Sequence, residues 1–472
     1  MKPDSLYQAP VWPVQSHASI LGTIRIRIVQ RCAVLLTLAF VILFGICGLH
    51  AQDSFKEPDF SKFQVEPGPI NLEVWIWSSG FDKVVAKFEA AFPNIKIKVG
   101  NYGSDTYAKA RTAFKAGTGA PDVLQVEYMV LPSFIATGGL RELSDLGGGS
   151  LESYYVPWAW KQVSPDGKSV FSVPGDSGPL GLMYNKKIFD QYQIEIPKSW
   201  DEYASAAEKL YKASNGKVKI GNFTATSGDW FSGLVWAAGG RLFEVKGDAV
   251  KQLLNSPTVE KVLTYWGDLI RKGYVSTYAA MTPDFWNALG RGEVASGVEA
   301  VWGTGFYSAF LASQKGDWRV APLPQWDASK PLVSGNWGGS SYAVSKQSKY
   351  PKAAALFCYW LNTSREAISI YWETQSAFPT DKYADGIPEL HKLDQKPADF
   401  YGGQDVFAEY SKISAGVNPD FTWVPWWNYT SDAFAKRVTG LINGNATAKQ
   451  VLDDWQKDSK EHAKNEGFEV TD

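Results

Sequence analysis

A chain of 472 residues is long enough for two domains and a large core. A formal net charge of -2, without long runs of one sign, offers no basic face for a nucleic acid. Four histidines and three cysteines supply a His-based triad or a His/Cys metal centre poorly.

At the start, Arg25, Arg27 and Arg31 precede an apolar run from Ala33 to Ile46, and the small residue Ala51 follows. That order predicts a secretory signal peptide over residues 1–51. The competing reading is an uncleaved membrane anchor over Cys32 to Leu49, slightly short of the ~20 apolar residues a span needs. Cys47 follows Ile46, where a lipid-anchor site would want a small residue. Cleavage leaves Cys358 as the one thiol, packed in an apolar run, and His391 and His462 as the histidines. Residues 52–69 are polar and proline-bearing and are expected to be a flexible lead-in.

Leu72 to Trp77 reads as a buried strand. Phe81 to Phe92 reads as a helix, with Phe81, Val84, Val85, Phe88 and Phe92 on one face and Pro93 as its stop. Ile95, Ile97 and Val99 alternate with lysines as a half-exposed strand. A helix over Asp105 to Lys115, a strand over Val123 to Val126 and a helix over Met129 to Thr137 follow. This alternation predicts a largely parallel sheet with helices on both faces.

Val170 to Lys187, VFSVPGDSGPLGLMYNKK, organises the chain. An apolar strand is broken by Pro174, Gly175 and Pro179 and then resumes, with no hairpin signal. Such a segment keeps one direction and can cross between two domains. It places Asp176 and Ser177 in the kink, where Asp176 is expected to touch a ligand without supporting the fold. The rival reading is an ordinary loop with a solvated Asp.

Ser199 and Glu202 make a capping box, Pro257 opens a helix closed by Gly273, and Pro351 opens another. Residues 294–302 and 318–321 read as strands. Trp337 to Ser345 and Phe378-Pro379-Thr380 are candidate second and third crossings. Pro425 is expected to delay the next helix to an N-cap at Ser431, so that one of Trp426 and Trp427 enters the core and the other faces a cleft. Thr447 and Gln450 form a second capping box.

The segments LEVWIW, FPNIKIKV, GAPDVLQVE, VPGDSGPLGLMYNKKIFD, PKSWDEYASAAEKL and WGGSSYAVSKQSKYPKAAALFCYWL stand in an order and spacing that resembles family 1 extracellular solute-binding proteins of bacterial ABC importers, the group that includes maltose-binding protein. The resemblance implies an α/β, two-lobed periplasmic-binding-protein fold with a ligand cleft between lobes joined by crossing hinge segments. Residues 70–175 and 338–378 would form the N-terminal lobe, and 180–335 and 380–472 the C-terminal lobe. It also implies an exported, periplasmic or membrane-associated monomer that captures a di- or oligosaccharide. That monomer would deliver the sugar to ABC permease subunits, with no chemical step, cofactor or metal.

The chain holds 20 tryptophans. Trp266, Trp360 and Trp455 lie on helix faces and read as core. Trp230, Trp302, Trp337, Trp426 and Trp427 lie in Gly-, Pro- or polar-rich stretches, where flat rings could stack on sugar faces. Asp176, Asp229, Glu127 and Asn336 could then bind hydroxyls. The resemblance adds Ser78 and Ser79 after the first strand, Tyr128 beside Glu127, Asp176 in the crossing, and Trp302 with Trp426 or Trp427 as stacking platforms. Ser78, Ser79 and Gly80 stand where the maltose-type pattern has charges, which separates this chain from the maltose ligand set. The competing functions are a secreted carbohydrate-active enzyme using Glu127 and Asp176 as its carboxylate pair, and a binder of another solute such as a polyamine.

Overall fold

The computed structural model describes residues 54–78, 80–247 and 249–472. The expected signal peptide and Ser79 lie outside the described residues.

Two sheets carry the fold. The first takes β1 (Ile70–Trp75), β2 (Ile95–Gly100), β3 (Val123–Glu127), β4 (Val173–Pro174) and β13 (Ser340–Val344), in the order β2-β1-β3-β13-β4. β1 pairs with β2 and β3 in parallel, as strand-helix alternation demands. β13 pairs with β3 and β4 antiparallel. The sheet is therefore mixed and not largely parallel: β13 returns from the second lobe and enters from the opposite end. Helices Asp82–Ala91 and Pro351–Thr363 pack on this sheet through Val84, Phe88 and Phe357, all fully buried.

The second sheet centres on β6 (Leu180–Asn185), with β11 (Ser296–Ala300) and β12 (Trp318–Pro322) antiparallel on its two sides. Around it pack helices Trp200–Ala213, Gly228–Ala237 and Pro257–Arg271, which share a knot of Trp200, Tyr203, Phe223, Trp230 and Trp266 rings. Ser199 caps its helix with both bonds of the expected box, 3.1 Å to the Glu202 amide and 3.3 Å back from the Ser199 amide. The Thr447–Gln450 box also forms.

β5 (Asp176–Ser177) leaves the first sheet between β4 and β6 and pairs antiparallel with β14 (Phe378–Pro379). The chain passes from the first sheet to the second through residues 175–179. It comes back between β12 and β13. It leaves once more at β14, after helix Arg365–Gln375, which packs on Asp82–Ala91, and before helix Val406–Ala415, which packs on β12 and β6.

Two local expectations change. Residues 54–69 are tied down instead of flexible. Glu66 accepts the Lys352 and Ala353 amides at the start of helix Pro351–Thr363, Glu57 accepts the Arg365 amide at the start of the next helix, and Phe63 packs 5.1 Å from Tyr359. Carboxylates at helix N-termini meet unpaired amides and the positive end of the dipole. The helix expected from Ser431 starts at Trp427 and runs to Ile442. Pro425 precedes the N-cap residue Trp426, a position that has no helical bond to lose, so it delays nothing.

Candidate functional site

The crossing segments bring Tyr128, Asp176, Asn336 and Trp337 together. Asp176 Oδ1 accepts the Ser340 amide at 2.9 Å, and its carbonyl accepts the Tyr128 hydroxyl at 3.1 Å. Asn336 Oδ1 accepts the Gly178 amide at 2.7 Å, Asn336 Nδ2 donates to the Gly338 carbonyl at 2.8 Å, and the Trp337 amide donates to Gly178 at 2.8 Å. Backbones this close exclude side chains. A Cβ on Gly178 would lie 1.9 Å from the Trp337 carbonyl oxygen.

On the first-lobe side, Glu127 ends β3. Its carboxylate accepts the Tyr107 hydroxyl at 3.1 Å, and its amide donates to the same oxygen at 3.0 Å. Burial first, then the Asp229 carboxylate, push the Glu127 pKa up to about 7, against the Tyr107 bond. Burial pushes Asp176 up to about 6 against its bonds to Ser340. Asp229 lies in the first turn of helix Gly228–Ala237 on the second-lobe side; burial raises it against the bonds from Trp427 and Ser431. Carboxylates from both lobes thus feel one another across the crossing. Proton uptake, a cation or hydroxyl donors would relieve them.

Two half-buried indoles pack on the crossing at Gly178 and Gly338. Trp302 caps helix Gly303–Phe310, donates its Nε1 hydrogen to the Trp337 carbonyl at 2.9 Å, and meets the Trp337 ring at 4.6 Å and 61°. Ser78, half-buried, shares a 3.0 Å bond with the Gln125 amide. Ser78, Gln125, Asp176, Asn362 and Gln375 line a cavity of about 40 Å³, and the Gln375 Nε2 atom is buried there without a partner. That volume suits one or a few waters or a ligand's polar tip.

Several expected contacts are structural instead. Trp230 is 1 % exposed and donates to the Val298 carbonyl at 2.9 Å, because its helix turns that face into the aromatic knot. Trp426 and Trp427 are 4 % and 1 % exposed. The first donates to Ser459 at 3.2 Å, and the second donates to Asp229 at 2.6 Å. Neither faces a cleft; Trp427 reaches the site only by orienting Asp229. Tyr128 and Asn336 are buried and direct their polar atoms to the crossing itself. Asp176 supports the fold as well as the site, contrary to expectation, because Ser340 relies on it. Ser79 lies outside the described residues.

Sequence reasoning missed Tyr107, Gln125, Asn362 and Gln375. Their partners lie far along the chain or are cavities, and no local pattern signals that. Among the described residues no group of three or more His, Cys, Asp or Glu could hold a metal ion. No described helix is long and apolar enough to cross a membrane.

Residues 77–368 match the family described as bacterial extracellular solute-binding protein. The arabinooligosaccharide-binding protein of Bacillus subtilis (strain 168) is 23% identical over 443 residues, 89% of this chain and 97% of that one. The ABC transporter associated binding protein of B. animalis subsp. lactis Bl-04, solved in complex with β-1,6-galactobiose, has a TM-score of 0.72 and 28% identity, covering 85% of this chain and 99% of that one. The galacto-N-biose-/lacto-N-biose I-binding protein of Bifidobacterium longum, in complex with lacto-N-biose, has a TM-score of 0.75 and 25% identity, covering 86% of this chain and 100% of that one.

Proposed function

The chain belongs to the bacterial extracellular solute-binding protein family, and on that premise we propose that it captures a di- or oligosaccharide between its lobes. It hands the sugar unchanged to the permease of an ABC importer, working outside the cytoplasm as a monomer. The observations that carry this reading are the half-buried Trp302–Trp337 pair packed on the crossing at Gly178, and the repulsion that Asp229 and Asp176 exert on buried Glu127. Indole faces suit sugar C–H groups, and carboxylates in the ring plane accept hydroxyl hydrogens. Ser78 supplies a further hydroxyl. The relatives above are named for, or solved with, arabinooligosaccharide, galactobiose and lacto-N-biose, which supports the ligand class.

A thermal-shift screen of neutral mono- and oligosaccharides tests the reading, because a ligand that binds only the folded state raises the melting temperature. At least one sugar should give a saturable upward shift, and chromatography should recover it intact. Hydrolysis by the pure protein would replace binder with enzyme. The crowding of three carboxylates also favours one specific rival, a cationic solute. Saturable binding of spermidine, with every neutral sugar inert, would establish that rival.

A further inference from the structure

Helix Gly303–Phe310 buries Gly303, Thr304 and Tyr307 and leaves Phe306 and Phe310 outside, 45 % and 59 % exposed. Four residues apart, the two rings stand one above the other on one helix face. Phe310 lies flat on Trp286, with centroids 4.8 Å apart and planes 15° apart, so one of its faces is covered and the other is open. Phe306 stands edge-on to Trp302 at 6.0 Å, and Trp302 in turn touches Trp337. The rings thus run outward from the crossing along one helix. No Asp, Glu, Lys or Arg occurs from Gly303 to Gln314.

A single exposed ring on a protein surface needs no explanation, but two on one face, continuous with the Trp302–Trp337 pair, mark a contact surface. The absence of charge on this helix disfavours a partner protein held by ion pairs. Flat rings in a row match the flat faces of successive sugar units. A ring already resting on Trp286 has little freedom to lose when a ligand covers its other side.

We propose that Phe306 and Phe310 extend the cleft as an outer platform for the distal units of a neutral oligosaccharide. The ligand would then be longer than the Trp302–Trp337 pair alone can hold. This inference rests on the carbohydrate reading above. The bland role of Phe310, shielding Trp286, is separable from the platform, because leucine would shield it too but offers no flat face.

The test is calorimetry on the purified protein and its Phe306→Leu/Phe310→Leu variant, with arabino-, galacto- and malto-oligosaccharide ladders from di- to hexasaccharide. In the ladder that binds, parent affinity should rise with length. The variant should lose about fivefold to tenfold on the longest member and less than about twofold on the disaccharide. Equal affinity of parent and variant at every length, or equal losses at every length, overturns the platform. So does parent affinity that stays flat with length, which leaves the carbohydrate reading standing. Failure of every ladder to bind the parent overturns both. Unchanged sugar affinities with loss of transport in cells would assign the two rings to permease docking instead.

Discussion

Trp230 and Trp302 look alike in sequence, each in a short polar, glycine-bearing stretch, yet they have opposite fates. Trp230 is enclosed by Phe223 and Trp266 and donates to a backbone carbonyl inside the second lobe. Trp302 also donates to a carbonyl, but that carbonyl belongs to the crossing, and its ring stays partly open. Hydrogen-bonding of the indole therefore does not separate structure from function here. The element that supplies the partner does: a core strand for Trp230, a connection between the two sheets for Trp302.

The contrast breaks most readily at its largest expected effect. Trp230→Ala should cost roughly 3–5 kcal/mol of unfolding free energy, read by urea denaturation, since it empties a packed knot. Trp302→Ala should cost much less in the same measurement. Similar losses for both would place Trp302 in the core and remove it from the site.

Asp176→Ala probes a residue on the boundary between the two classes. Loss of the acceptor for the Ser340 amide should lower stability most below about pH 6, where Asp176 carries no buried charge to offset the bond. Sugar affinity should fall in the same variant. An unchanged melting temperature would show that the bond across the crossing carries no weight.

Trp302→Ala sharpens the comparison from the functional side. Affinity should drop by about tenfold, or 1.4 kcal/mol, by calorimetry. Trp427→Phe should act on affinity only through the orientation of Asp229 and so give a smaller loss. A larger loss in Trp427→Phe would reverse their assigned roles.

The smallest expected effect is a slope with pH. Burial raises the Glu127 and Asp176 pKa values in the folded protein, to about 7 and about 6. A carboxyl whose folded value lies above its unfolded value holds its proton more tightly when folded. Its stabilising contribution is complete below about pH 4 and is lost as pH rises through the folded value. The contribution of Glu127 and Asp176 to the stability of the ligand-free protein should therefore fall between about pH 4 and 7. Glu127→Gln should flatten the upper part of that slope in thermal melts. A steeper fall in Glu127→Gln than in the parent would mean that Glu127 is paired with a cation.

Much of this was legible in the chain because its causes are local. The capping boxes at Ser199 and Thr447 join atoms three residues apart, and the Pro/Gly interruptions around Asp176 and at Phe378-Pro379 mark where regular structure must yield. The antiparallel entry of β13 was not legible, because it depends on which lobe the chain returns from. Residues 54–69 looked flexible because their helix partners, Lys352, Ala353 and Arg365, lie 286 to 308 residues away. The same holds within the site. Pro425 suggested a late helix start, but the burial of Trp426 and Trp427 was decided by Ser459 and Asp229 on other helices.

The three crossings lie abreast, β5 hydrogen-bonded to β14 on one side and bound through Gly178 to Asn336 and Trp337 on the other. In mechanical terms this is a leaf flexure. A single strip between two blocks bends, twists and shears freely, whereas strips fixed edge to edge keep one soft bending axis and resist the rest. Crossings bonded in this way would guide a hinge motion along nearly one coordinate. Were the lobes to close, the carboxyl of Asp229 would return to the same place relative to Glu127 each time, and few relative motions would remain for a ligand to quench.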